Sequence, residues 1–187
     1  MKKQLLILPF FFIFYSCTSF QGFNQGNTPT SSLKQLDGTY KNTPNKIDTV
    51  KMINGGIDDH FYQIMARKAK EYYKIKPKSK NKYTFKVQQI SAKRLLITFF
   101  ENNKVLKKYN CKAKVKADGF VYLKNKNFNF LALAFLFGGY SIKKTRLFIN
   151  TNQQLIVETT LKGIGFVFFT PFNSNHWKAR YVFEKID

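Results

Sequence analysis

The chain has 187 residues and a formal charge of +22, from 32 Lys+Arg against 10 Asp+Glu, with two cysteines. That length suits one domain with small appendages, and 44% hydrophobic with 17% aromatic content excludes wholesale disorder. Two cysteines exclude a disulfide scaffold and a four-thiolate zinc site.

Lys2 and Lys3 precede an apolar run from Leu5 to Tyr15. Such a run rises only about 16 Å as a helix, roughly half a bilayer core, and Pro9 weakens it further. A basic start, an apolar centre and a small residue at Ser16 make up a secretory signal peptide. Phe14-Tyr15-Ser16-Cys17 resembles a bacterial lipobox, with Phe where Leu is usual three residues before the cysteine. The resemblance implies cleavage after residue 16 and diacylglycerol on Cys17, and thus a lipoprotein held in the cell envelope. Thr18 after the lipidated cysteine, where an Asp would retain the protein at the inner membrane, favours the outer membrane; both orientations of the domain stay open. Cleavage removes Lys2 and Lys3 and leaves +20. An ordinary signal peptide, with Cys17 and Cys111 available to each other, is the alternative.

Residues 17–32 carry the anchor and an uncharged stretch rich in Gly, Ser, Thr, Asn and Gln. This composition reads as a flexible tether outside the fold, spanning roughly 20 Å. The domain is assigned to residues 33–187.

Within it, Asp58 to Tyr73 spaces Phe61, Met65, Ala69 and Tyr72 as one helical stripe, which predicts a single helix over about 58–73. Asp58 and Asp59 would meet its positive end, with Lys68 and Lys70 nearer the negative one. From Lys82 the period is two. Tyr83, Phe85 and Val87 alternate with polar residues, then Leu95, Ile97 and Phe99, before Asn102-Asn103. Val105, Tyr109, Cys111, Ala113 and Val115 share the next apolar face. Asp118-Gly119 marks a tight turn, and Gly138-Gly139 interrupts the apolar run that follows. Leu155, Val157, Thr159 and Leu161 form another face, after which Gly163 and Gly165 break the chain. Trp177, Ala179, Tyr181 and Phe183 point inward on the last strand, with Arg180 and Glu184 outward.

Eight to ten strands with hairpin-length links make a mainly β, antiparallel meander, whose edges vanish if it closes as a barrel. A two-sheet sandwich is the second architecture. Leu36-Asp37-Gly38-Thr39-Tyr40 resembles the Gly-x-Trp opening of lipocalins, with Tyr in place of Trp. The resemblance implies a lipocalin-like barrel in which Arg180 stacks on the Tyr40 ring. It carries no ligand, and the family's Thr-Asp-Tyr motif is absent.

No catalytic constellation can be assembled. The carboxylates fall at turns, helix starts or outward strand positions, Glu101, Glu158 and Glu184 among them, and no paired arrangement emerges. His60 and His176 stand far apart, so no metal site is expected. Ser-x-x-Lys pairs such as Ser79 with Lys82 and Ser141 with Lys144 occur at about the frequency chance gives, without partner motifs. Cys111 reads as an inert core thiol. No cofactor is expected.

Two functional readings follow. In the first, the barrel is a non-catalytic binding module for an apolar or amphipathic ligand, with Tyr40, Tyr83, Phe85, Trp177, Tyr181 and Phe183 lining it, unless those rings simply fill the interior. In the second, a structural or interaction lipoprotein meets anionic lipid, envelope polysaccharide or a protein partner through basic segments. Arg67 to Lys82 carries a net +7, with Lys74, Lys76, Lys78, Lys80 and Lys82 on one side if extended. Lys104 to Lys116 carries +6. Export makes nucleic acid an improbable partner. Leu131 to Phe137, apolar without alternation, reads as buried core or as a hydrophobic lip at a barrel mouth.

Overall fold

The computed structural model describes residues 20, 30–50, 60–66, 80–124, 127–133, 137–167 and 170–186. Alternation gives rise to ten strand segments: β1 Gly38–Lys41, β2 Lys46–Val50, β3 Tyr83–Ser91, β4 Arg94–Glu101, β5 Lys104–Val115, β6 Val121–Leu123, β7 Asn127–Leu133, β8 Phe137–Ile149, β9 Leu155–Val167 and β10 Thr170–Phe183. All pairings are antiparallel, in the order β1-β3-β4-β5-β6-β8-β9-β10-β2, with β7 paired to β8. The expected meander is therefore the architecture.

The sheet curls until its ends meet. Tyr40 on β1 bridges to Lys185 beyond β10. The Lys41 N–H donates to the Glu184 carbonyl at 3.0 Å, and the Ile186 N–H to the Thr39 carbonyl at 2.9 Å. The Lys41 ammonium also reaches the Glu184 carboxylate at 2.6 Å. Hydrogen bonds from Lys41 and then Asn45 hold that carboxyl below the usual carboxylate range. The seam's electrostatic support is thus present above the unfolded carboxyl pKa and fades as pH falls through the lower, folded value. Toward the opposite end the ring splits. There β7 bonds to β8, while β5 residues 104–110 pair with β4.

Turn chemistry set the hairpins. Asn102 and Asn103 have φ of 47° and 66°, the pair of positive values a two-residue twisted hairpin needs. Gly119 follows Asp118 at φ 75°. Asn150 Oδ1 accepts from the Asn152 and Gln154 N–H groups across the β8–β9 turn. Other expectations need correction. Gly138-Gly139 and Gly163 with Gly165 lie within β8 and β9 and do not interrupt them. Gly139 passes where backbones crowd, since a Cβ there would meet the Ile164 carbonyl oxygen at 2.9 Å, whereas one on Gly163 would meet nothing closer than 3.9 Å. Val105 is 54% exposed because the β4–β5 register shifts between Phe99 and Phe100, placing an extra residue on β5 and reversing the faces.

The helix α1 runs only over Phe61–Met65, ending at Ala66 with ψ 126°; 58–59 and 67–73 lie outside the described residues. It packs into the core: Phe61, Tyr62, Ile64 and Met65 are all buried. Phe61 stacks on Phe85 with centroids 4.0 Å apart and meets Phe183 edge-on at 5.3 Å. The anchor of α1 is Asn42, in the loop between β1 and β2. Its carbonyl accepts the Phe61 N–H at 2.9 Å and its Oδ1 the Tyr62 N–H at 3.3 Å. Asn42→Ala is expected to destabilise the fold by about 1–2 kcal/mol, the usual loss for a helix cap. Urea denaturation followed by tryptophan fluorescence measures it; an unchanged midpoint would remove Asn42 from this role.

Candidate anion-binding surface

Strand β5 separates its residues by face. Cys111 and Ala113 are buried inward, and Lys112, Lys114 and Lys116 project outward. Beside Lys112 and Lys114 the β3–β4 turn delivers Lys93 and Arg94, with Arg94 opposite Lys112 in register. The Ala113 N–H donates to the Lys93 carbonyl at 2.9 Å, which holds the turn against β5. From the other side the Lys124 N–H donates to the Lys112 carbonyl at 2.7 Å. Together these residues line a solvent-open depression of about 430 Å³, with Ser91 and Ala113 completing it.

Among the described residues, five cations and no carboxylate line this hollow. All five are exposed, and none takes part in an ion pair among the described residues. Arg94 donates to Asn110 Oδ1 at 3.1 Å, a neutral partner that aims the guanidinium without cancelling its charge. Clustered like charges repel, and an anion relieves them. A concave wall strengthens the field, and salt screens it over about 8 Å at physiological ionic strength.

The row continues past the hollow. Lys116 Nζ lies 3.9 Å from the Tyr122 ring centroid. Burial, and then its hydrogen bond to Asp118, raise the Tyr122 phenol above its ordinary pKa. Tyr122 belongs to a second apolar cluster on the outside of the sheet, with Phe120, Phe148, Ile156 and Val182. Arg146 sits there between the rings of Phe20 and Phe120, at 4.4 and 3.8 Å from their centroids. It pairs with Glu158, which is fully buried and also receives Arg180 at 2.5 Å. Glu158 takes the outward position that its alternation implies, and the outer cluster covers it. Arg180 likewise turns out to Glu158, whereas Tyr40 stacks inside on Phe85 at 5.4 Å, so the Arg180–Tyr40 stack does not form.

The tether also joins the fold at two points. Phe20 is 9% exposed and Thr30 2%. The Phe20 ring meets Tyr122 edge-on at 5.8 Å, and the Thr30 N–H donates to the Gly119 carbonyl at 2.8 Å.

Of the residues expected to line a ligand cavity, Tyr40, Phe85, Tyr181 and Phe183 are fully buried and Trp177 nearly so. They pack on one another and on α1, and the Tyr40 hydroxyl donates to the Leu36 carbonyl at 2.9 Å. Tyr83 is half-buried and donates to Glu101 at 2.5 Å. The described end of the interior is thus filled by side chains. Of the expected anionic-surface residues, Lys80 and Lys82 lie at the edge of β3; Lys74, Lys76 and Lys78, like Cys17, lie outside the described residues. The sequence pointed to Lys112 and Lys114 through the charge of their strand. Lys93, Arg94 and Lys124 were missed because only pairing brings them together.

Cys111 is 1% exposed. A thiol reagent such as DTNB is expected to label it only as the protein unfolds, and fast labelling of the native protein would contradict that burial. Among the described residues no group of three His, Cys, Asp or Glu converges as a metal site, and no helix is long and apolar enough to cross a membrane. No family model, curated protein or solved structure matches the chain.

Proposed function

We propose that the protein is a membrane-anchored envelope lipoprotein, attached through Cys17, whose barrel serves as a non-enzymatic interaction module for anionic groups. The un-neutralised hollow of Lys93, Arg94, Lys112, Lys114 and Lys124 carries this reading. Fatty-acid labelling tests the anchor: label is expected on the wild type and not on Cys17→Ala. For the surface, unlipidated Cys17→Ala is expected to sediment with isolated envelopes at low salt and to be released at high salt. Equal release at both would end the electrostatic reading.

A second reading, binding of an amphipathic ligand inside the barrel, draws on one observation. Trp177 Nε1 and Thr159 Oγ1 are buried on the inner face of β9 and β10 without a hydrogen-bond partner. Buried polar atoms usually have one. Native mass spectrometry of Cys17→Ala would show a retained ligand as added mass, and an unladen mass would remove the reading.

A further inference from the structure

Phe20 and the basic row of β5 lie on one face of the sheet. Cys17 is three residues from Phe20, so at full extension it stays within about 11 Å of that ring's backbone. Phe20 is seated against Tyr122 and under the Arg146 guanidinium, and Thr30 is fixed to Gly119 on the far side of the tether. Tyr122 is the register partner of Lys114. The seat of the tether is therefore immediately beside the row Lys112, Lys114, Lys116 on the outer face of paired strands. Four residues of strand cover only about 13 Å, so this row lies within reach of any bilayer that holds Cys17. Asp118, bonded to the Tyr122 hydroxyl at 2.6 Å, is the acidic group placed at its margin.

Resting on the reading of Cys17 as lipidated, we propose that the outer face of β5 and β6 lies flat on the leaflet that holds the anchor. Lys93, Arg94, Lys112, Lys114 and Lys124 then take up anionic phospholipid headgroups, and Phe20 is the peg that sets the orientation. A free tether would let the barrel rotate about its anchor and present any face to the bilayer. A tether seated three residues from the lipid presents this one. The diacylglycerol anchor raises the local concentration of headgroups at the adjoining basic patch, so weak contacts there suffice to set the orientation.

The test reconstitutes the full lipidated protein into vesicles of phosphatidylcholine alone, or of phosphatidylcholine with phosphatidylglycerol. Lysine acetylation rates are then read by mass spectrometry. On the mixed vesicles Lys112, Lys114 and Lys124 are expected to react about tenfold more slowly than on neutral ones, the factor given when nine molecules in ten lie flat. Lys46, exposed on β2 four strands from β6, keeps its rate. Phe20→Ala is expected to abolish the protection while the protein still floats with the vesicles. The double variant Lys112→Glu with Lys114→Glu, altered only at exposed positions, is expected to abolish the protection of Lys124. Flotation without composition-dependent protection, or full protection in Phe20→Ala, overturns the proposal alone. Failure to float with neutral vesicles removes the lipid anchor and the proposal with it. Protection by soluble polyphosphate but not by vesicles assigns the face to a polymer and overturns the lipid assignment.

Discussion

Glu158→Ala is expected to destabilise the protein by about 3–5 kcal/mol, the loss that follows when one partner of a buried ion pair is removed. Glu158 has no solvent exposure and Arg146 has 4%, with its guanidinium over the rings of Phe20 and Phe120. Without the carboxylate the Arg146 charge stays buried, with ring faces for company and no counter-ion. Arg180, at 16% side-chain exposure, can turn toward water, so Arg180→Ala is expected to cost clearly less. The measurement is equilibrium urea unfolding of the three proteins. Equal losses for Glu158→Ala and Arg180→Ala would show that the penalty does not come from the stranded Arg146. The double variant Glu158→Ala with Arg146→Met should recover much of the loss, since apolar replacement of a buried pair is often neutral.

Phe61→Ala is expected to cost about 3–5 kcal/mol as well, through a different term: the loss of a large buried ring and the void it leaves. Phe61 is the point at which α1 enters the barrel, in contact with Phe85, Phe99 and Phe183. Phe85 and Phe99 are partners across the β3–β4 hairpin and Phe183 comes from the distant β10, so closing the void would need two separate parts of the sheet to move together. The same unfolding experiment measures it. A loss near that of an exposed substitution, with benzene failing to raise the melting temperature of the variant, would mean that the barrel had collapsed around the missing ring.

These two sites show what the chain made legible and what it hid. Period-two alternation identified β3, β4, β9 and β10, because one inward row per strand is what a filled barrel demands. Phe85, Trp177, Tyr181 and Phe183 all face as their spacing implies. Asn102-Asn103 could be read because few residue pairs accept two positive φ values. The stripe of Phe61 and Met65 marked the helix that the structure describes over Phe61–Met65, while Ala69 and Tyr72 lie outside the described residues. Its burial among rings from other strands could not be read from spacing along one element. Glu158 was legible as outward but not as buried, because alternation tells inside from outside and not exposed from covered. Only the partner strands and Phe20, more than a hundred residues away in sequence, put a lid on it. The hollow follows the same logic: its five cations come from three separate stretches, and charge counted along the chain cannot see convergence.

The seam between Tyr40 and Lys185 bears on when the molecule can fold. The ring joins a residue near the start of the domain to one near the end of the chain, with almost the whole sequence between them as the loop to be closed. Such distant pairing is slow, because the entropy of bringing the ends together is lost before the contacts compensate. The β3–β4–β5 hairpins can form from local contacts as soon as they are made. The edge of β1, by contrast, keeps its unpaired N–H and C=O groups until Glu184 to Ile186 arrive. Until then the molecule presents an open strand edge, the feature through which chains pair wrongly with one another. Residues Glu184 to Ile186 act as a latch that closes that edge.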